Sequence, residues 1–153
     1  MMSRQCLASI KKILVTLQKL NAMNGLITIQ SDYSVKETID RLASIVESKG
    51  LAVFARIDHA ANAEKVDMPL RPTELLIFGN PKAGTVLMQD KQTAGIDLPV
   101  KALAWQDEAG KNWLTYNETK WIADRHELTE KSNQTLKAIE EGMTLVVNAA
   151  TKK

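Results

Sequence analysis

Two short stretches of the 153-residue chain bring together residue types able to hold an anion or move a proton. In the first, Asp58 and His59 close an alternating apolar run, and Arg71 arrives just ahead of Pro72 and Thr73. Histidine titrates near neutrality and an aspartate can orient it, so this trio suits proton transfer or anion binding. Adjacent strand residues point to opposite faces, which keeps Asp58 and His59 apart unless the strand ends or bulges there. The bland alternative makes Asp58 the cap of the next turn, with Arg71 paired to it.

The second stretch is Gly79-Asn80-Pro81-Lys82-Ala83-Gly84-Thr85, between an apolar run and a helix expected from Thr85 to about Gln92. Strand, glycine loop and helix start together present free backbone N–H groups to an anion, and Lys82 adds charge. Both glycines stand at phosphate-loop spacing, but Thr85 follows Gly84 without the lysine that such loops place between them. Nucleotide hydrolysis is therefore not expected. The alternative is a tight turn with Thr85 as N-cap.

No cofactor and no metal is expected: His59 and His126 are the only histidines, Cys6 is the only cysteine, and no ligand-type pair has metal-site spacing. Met68, Met88 and Met143 read as gap-fillers. Trp121 and Tyr116 are candidates to line a pocket, with core packing the simpler account.

The elements that must position these residues follow from periodicity. Leu26 to Gln30 reads as a strand, and Ser34 to Lys49 as a helix with Val35, Ile39, Leu42, Ala43 and Val46 on one face. Ser34 and Glu37 have capping-box spacing, and Gly50 stands where a left-handed residue ends a helix. Leu51 to Asp58 alternates, with Leu51, Val53, Ala55 and Ile57 expected on one side. Thr73 to Gly79 is apolar on both faces, as a central strand is. Val100 to Asp107 and Asn112 to Asn117 form a hairpin signal turning at Gly110, which should bring Trp105 near Trp113. Glu118 to Leu128 and Asn133 to Ala149 read as closing helices. The connections His59 to Pro72 and Asn80 to Pro99 are long enough to carry function or extra structure.

Composition sets limits on function. The chain is 44% hydrophobic and 25% charged, the balance of one globular domain without a disulfide framework. Residues 1–23 hold Arg4, Lys11, Lys12 and Lys19 and no acid, leaving 16 basic against 18 acidic side chains in the rest, so the net +2 is misleading. Without a basic stripe and with few aromatics, nucleic-acid binding is not expected. Residues 1–23 also space Cys6, Leu7, Ile10, Ile13, Leu14, Leu17 and Leu20 as an amphipathic helix. Its lysines interrupt any membrane span or secretory signal, so membrane contact is not expected and a cytoplasmic location is. The chain divides into this extension, 1–23, and one domain, 24–153.

Ile57-Asp58-His59-Ala60, Leu70-Arg71-Pro72-Thr73, Phe78 to Thr85, Leu87-Met88-Gln89, Gly95 to Pro99 and Tyr116-Asn117 occur in an order that resembles domain-of-unknown-function family 302, a small bacterial and archaeal domain. The resemblance runs from about Gly25 to Ala149. It implies a two-layer α+β fold of β-α-β(4)-α type, outwardly similar to helix-grip and TATA-binding-protein-like domains, and homodimers; the order and periodicity of the elements favour an antiparallel-dominated sheet with the helices on one face. It brings no catalytic residue with it.

The leading expectation is a non-catalytic binder of a small anionic or amphipathic metabolite, with Asp58, His59, Arg71, Asn80, Lys82, Gly84 and Thr85 as candidate contacts. One alternative is an enzyme using Asp58, His59, Arg71 and Lys82 on an acidic or carbonyl substrate. The other is a structural or interaction module acting as a dimer. If the strands ending at Asp58 and starting at Thr73 are antiparallel neighbours, the two clusters lie at opposite ends of the sheet.

Overall fold

A computed structural model describes residues 24–153; the amphipathic helix expected in residues 1–23, with Cys6, lies outside the described residues. Five strands, β1 (Leu26–Ser31), β2 (Ala52–Asp58), β3 (Thr73–Gly79), β4 (Lys101–Gln106) and β5 (Asn112–Asn117), form one sheet in the order β1-β5-β4-β3-β2. Every pairing is antiparallel. Helices α1 (Val35–Ser48) and α5 (Asn133–Thr151) pack on one face. The α+β class and one-sided helical layer are as expected.

Alternation on the strands decides what the helices cover. Leu76, Phe78, Ala102, Ala104, Leu114 and Tyr116 turn toward α1 and α5 and join Ile39, Leu42, Val46, Met143, Val146 and Val147 in one core. Ile139 sits at its margin. The expected capping box is present: Ser34 Oγ accepts from the Glu37 N–H, and the Glu37 carboxylate accepts from the Ser34 N–H at 3.1 Å. Gly50 follows the helix with φ +72°, a backbone form that glycine adopts without Cβ strain.

One strand departs from the alternation. The β2–β3 register shifts between Val53 and Ala55. A bulged residue reverses the facing of everything beyond it. Val53 therefore packs on the core, whereas Ala55 and Ile57 pair with Ile77 and Leu75 on the outer face. Arg56 is what the helical side receives, and it is neutralised there by the buried Glu74 and by Asp40 at 2.6 Å. The expectation that Leu51, Val53, Ala55 and Ile57 share a side is thus corrected.

The long connections carry structure. Helix α2 (His59–Glu64) opens the first; helix α3 (Pro81–Asp90) and a 3-10 turn (Gln92–Ile96) fill the second. Helix α4 (Thr119–Arg125) leads into α5 through a second 3-10 turn (Glu130–Ser132).

Candidate functional site

Strand β3 separates the two clusters. Asp58 pairs with Glu74 at one end, and Ala52 pairs with Gly79 at the other. The seven residues of β3 rise about 20 Å from Thr73 to Gly79, so His59 and Lys82 cannot share an active site within one chain. Asp58, His59, Arg71 and Lys82 do not form one constellation.

At the first end, Asp58 is the N-cap of α2, accepting from the Ala61 N–H at 2.8 Å. Arg71 does not pair with it. Pro72 and Thr73 run in beside β4, and the Arg71 Nε–H donates to the Gln106 carbonyl at 3.1 Å. The cleft here, about 750 Å³, is lined by Asp58, Glu64, Asp67, Glu74, Lys36 and Arg56 together with apolar residues, and by neither His59 nor Arg71. Its central charges are already satisfied in the chain Lys36–Asp40–Arg56–Glu74. The other lining charges, Asp58, Glu64 and Asp67, are carboxylates with no ion-pair partner among the described residues, so the cleft is acidic and unsuited to the anion that the sequence suggested, which makes it the weaker candidate.

At the second end the expected anion loop is a helix. Asn80, not Thr85, is the N-cap: its Oδ1 accepts from the Lys82 N–H at 2.9 Å, and Pro81 takes the first helical position. Asparagine caps as well as threonine does, and proline's fixed φ suits that position, so the helix starts at the first place that permits it. Gly84 and Thr85 lie inside α3; the Gly84 N–H donates to the Asn80 carbonyl at 3.1 Å and the Thr85 hydroxyl to the Pro81 carbonyl at 2.7 Å. The Lys82 and Gly84 N–H groups that an anion would use are both spent on Asn80, and the Lys82 side chain is exposed.

What these residues do line is a cavity of about 390 Å³ between α3, α5 and the ends of β2 and β3. Phe78 is its floor; Met88 and Leu98 form one wall, and Ile139, Met143 and Val146 the other. Asn80, Gly84 and Thr85 are part of the rim and wall, and no charged side chain lines it among the described residues. Gly84 on α3 and Gly142 on α5 lie within helices, where glycine costs about 1 kcal/mol relative to alanine. Neither has a positive φ, and nothing lies within 4 Å of a Cβ placed on Gly142.

Two polar assemblies hold the walls. Asp90, the last residue of α3, accepts from the Thr129 N–H (2.7 Å), the Thr129 hydroxyl (2.9 Å) and the Ser132 hydroxyl (2.7 Å), tying α3 to the start of α5. These donors, Ser132 foremost, hold the Asp90 carboxyl below its ordinary range. Asp97, immediately before Leu98, lies 2.6 Å from His126 Nε2, and both are buried. His126 Nδ1 faces the Thr93 hydroxyl at 3.3 Å, and Arg125 reaches Asp97 at 3.3 Å. The sequence marked His126 only as one of two histidines; its partner is 29 residues away and nothing in the spacing announces the pair. Tyr116 and Trp121 do not line the cavity. Tyr116 faces the core, and the Trp121 indole fills the space where a Gly25 side chain would stand.

These features define an α+β domain with a one-sided helical layer and an apolar cavity at the strand ends. The chain belongs to the family of the domain of unknown function DUF302, which it matches over residues 27–146. It is similar to the crystal structure of an uncharacterized conserved DUF302 protein from Bacillus stearothermophilus, with a TM-score of 0.73 and 16% identity over 82% of this chain and 98% of that one. It is also 51% identical over 127 residues to fluoride-specific ion channel FluC 1 of Brucella suis, covering 83% of this chain and 50% of that protein. The FluC 1 protein of Brucella abortus matches equally, over 47% of its length. The chain thus spans about half the length of these curated relatives. No helix of the described residues is long and apolar enough to cross a membrane.

Proposed function

We propose that this domain is a non-catalytic binding module whose ligand is a small amphipathic molecule, held by its apolar part between α3 and α5. One observation carries the reading: the cavity is lined mostly by apolar side chains, and the side chains of its polar residues are committed to α3, Asn80 as its N-cap and Thr85 to the Pro81 carbonyl. Its volume lies within the range of small-molecule sites, at the low end. Nothing inside would neutralise a buried anion, so a charged group on the ligand stays in water at the mouth. In the Brucella proteins named as fluoride-specific ion channels, the half matched here would then be a binding module within a longer chain.

The test is thermal unfolding of the full chain with straight-chain carboxylates and alcohols. A compound present at 100 times its dissociation constant stabilises the fold by about 2.7 kcal/mol. A set of amphiphiles that leaves the midpoint unmoved overturns the reading.

A second reading, compatible with the first, concerns the other face of the sheet. Leu75 pairs with Leu103, Thr73 with Trp105, and Trp105 stacks on Trp113 with ring centroids 6.3 Å apart. These side chains point away from α1 and α5, and none belongs to the core cluster. We propose this face as the seam of a homodimer. Sedimentation equilibrium of the wild type and of Leu103→Glu decides: a dimer that the substitution dissociates supports the seam, and a wild-type monomer removes it.

A further inference from the structure

Phe54 and Phe78, the two phenylalanines of the chain, line the same cavity in opposite states: Phe78 is 1% exposed and Phe54 49%. The backbone explains how Phe54 comes to be there. Val53 pairs with Phe78 and Ala55 with Ile77, so Phe54 is the extra residue of the β2 bulge and has no partner on β3. Strict alternation beyond Val53 would set Phe54 opposite Ile77, on the outer face. The bulge keeps it on the helical side, where it lines the cavity together with Ile139, Met143 and Val146 of α5. Bulges are concentrated on edge strands and beside functional sites, where they re-aim a side chain, and β2 is an edge strand.

The bulge works against the fold in two ways. A regular β2 would have turned Ala55 and Ile57 to the core and left Arg56 in water; the bulge brings Arg56 inward, where Glu74 and Asp40 neutralise it. It also leaves half of a phenylalanine side chain in solvent, which forgoes part of the stabilisation that burying such a ring brings. What the irregularity gains is an apolar ring at the cavity. We infer that Phe54 is the cover of this cavity: its ring packs onto the apolar part of a bound ligand and becomes buried there. This rests on the binding reading above and adds the residue that completes the site. The surface that Phe54 exposes in the empty domain is then surface held for the ligand.

Fluorine NMR of the full chain carrying para-fluorophenylalanine tests this, because the two phenylalanines give two signals and Phe54→Leu assigns them. In the free protein the Phe54 signal should shift between light and heavy water, as that of a solvent-exposed ring does, and the Phe78 signal should not. Saturation with decanoate should remove most of the Phe54 solvent shift. In calorimetric titration Phe54→Ala should bind decanoate about tenfold more weakly than the wild type, and Phe54→Leu, which keeps much of the apolar surface, should recover most of that loss. Should the alanine variant not fold, the fluorine measurement decides. Decanoate binding that leaves the Phe54 solvent shift unchanged, or a folded alanine variant that binds as tightly as the wild type, overturns the cover and leaves the binding reading standing. Failure of the wild type to bind decanoate overturns both.

Discussion

Asp90 and Ser132, 42 residues apart, are joined by a 2.7 Å hydrogen bond from the Ser132 hydroxyl to the Asp90 carboxylate. The bond links the last residue of α3 to the residue before α5, and so ties the two walls of the cavity at one end.

Acid should loosen this link. The Asp90 carboxyl is held below its ordinary range by the donors from Ser132 and Thr129, so between the folded and unfolded values the unfolded chain binds the extra proton. The contribution is therefore complete above the usual carboxylate range of about 4, and it is lost as pH falls through the lower folded value. Asp90→Asn should lower the unfolding midpoint at pH 7 and show a smaller further loss between pH 4 and pH 3 than the wild type. Parallel acid profiles for the two proteins would contradict the assignment.

The buried Asp97–His126 pair braces the wall that carries Leu98. His126→Ala removes a partner from a carboxylate that keeps only Arg125 at 3.3 Å. The expected cost is about 2 kcal/mol, within the usual range for an orphaned buried polar group, read by urea unfolding. A change under about 0.5 kcal/mol, the size usual for surface substitutions, would mean that the pair does not brace the fold.

Asp58 and Arg71 should behave independently. Asp58→Ala removes the cap of α2 and is expected to cost about 1 kcal/mol. Arg71→Ala removes one exposed bond to the Gln106 carbonyl and should cost less. In a double-mutant cycle the two effects should add within about 0.5 kcal/mol, as unconnected sites do. A larger coupling would restore the pairing that the sequence suggested.

Periodicity made the strands, α1, α5 and most of the core legible, because burial on one face leaves its mark at intervals of two or 3.6 residues. The opposite-end placement of the two polar clusters was legible as well, since it follows from antiparallel pairing of β2 with β3. The bulge in β2 was not, because one extra residue is invisible in a run whose alternation continues past it. Nor was the start of α3: Asn80 and Thr85 are both good caps, and choosing between them depends on where Pro81 can sit. The cavity escaped for a different reason. Gly84, Met88, Leu98, Gly142 and Met143 come from three separated segments, and each alone reads as turn, gap-filler or core. Gly142 offered the one available signal, a glycine inside a strong helical pattern.

The most direct test of the cavity is methyl NMR on methionine-labelled full chain titrated with decanoate. Met88 and Met143 line the apolar cavity, whereas Met68 lines the charged cleft at the other end of β3 and is 64% exposed. The Met88 and Met143 methyl resonances should move together and saturate while that of Met68 stays in place. Absence of a saturable shift at Met88 and Met143, or an equal response at Met68, would contradict ligand binding between α3 and α5.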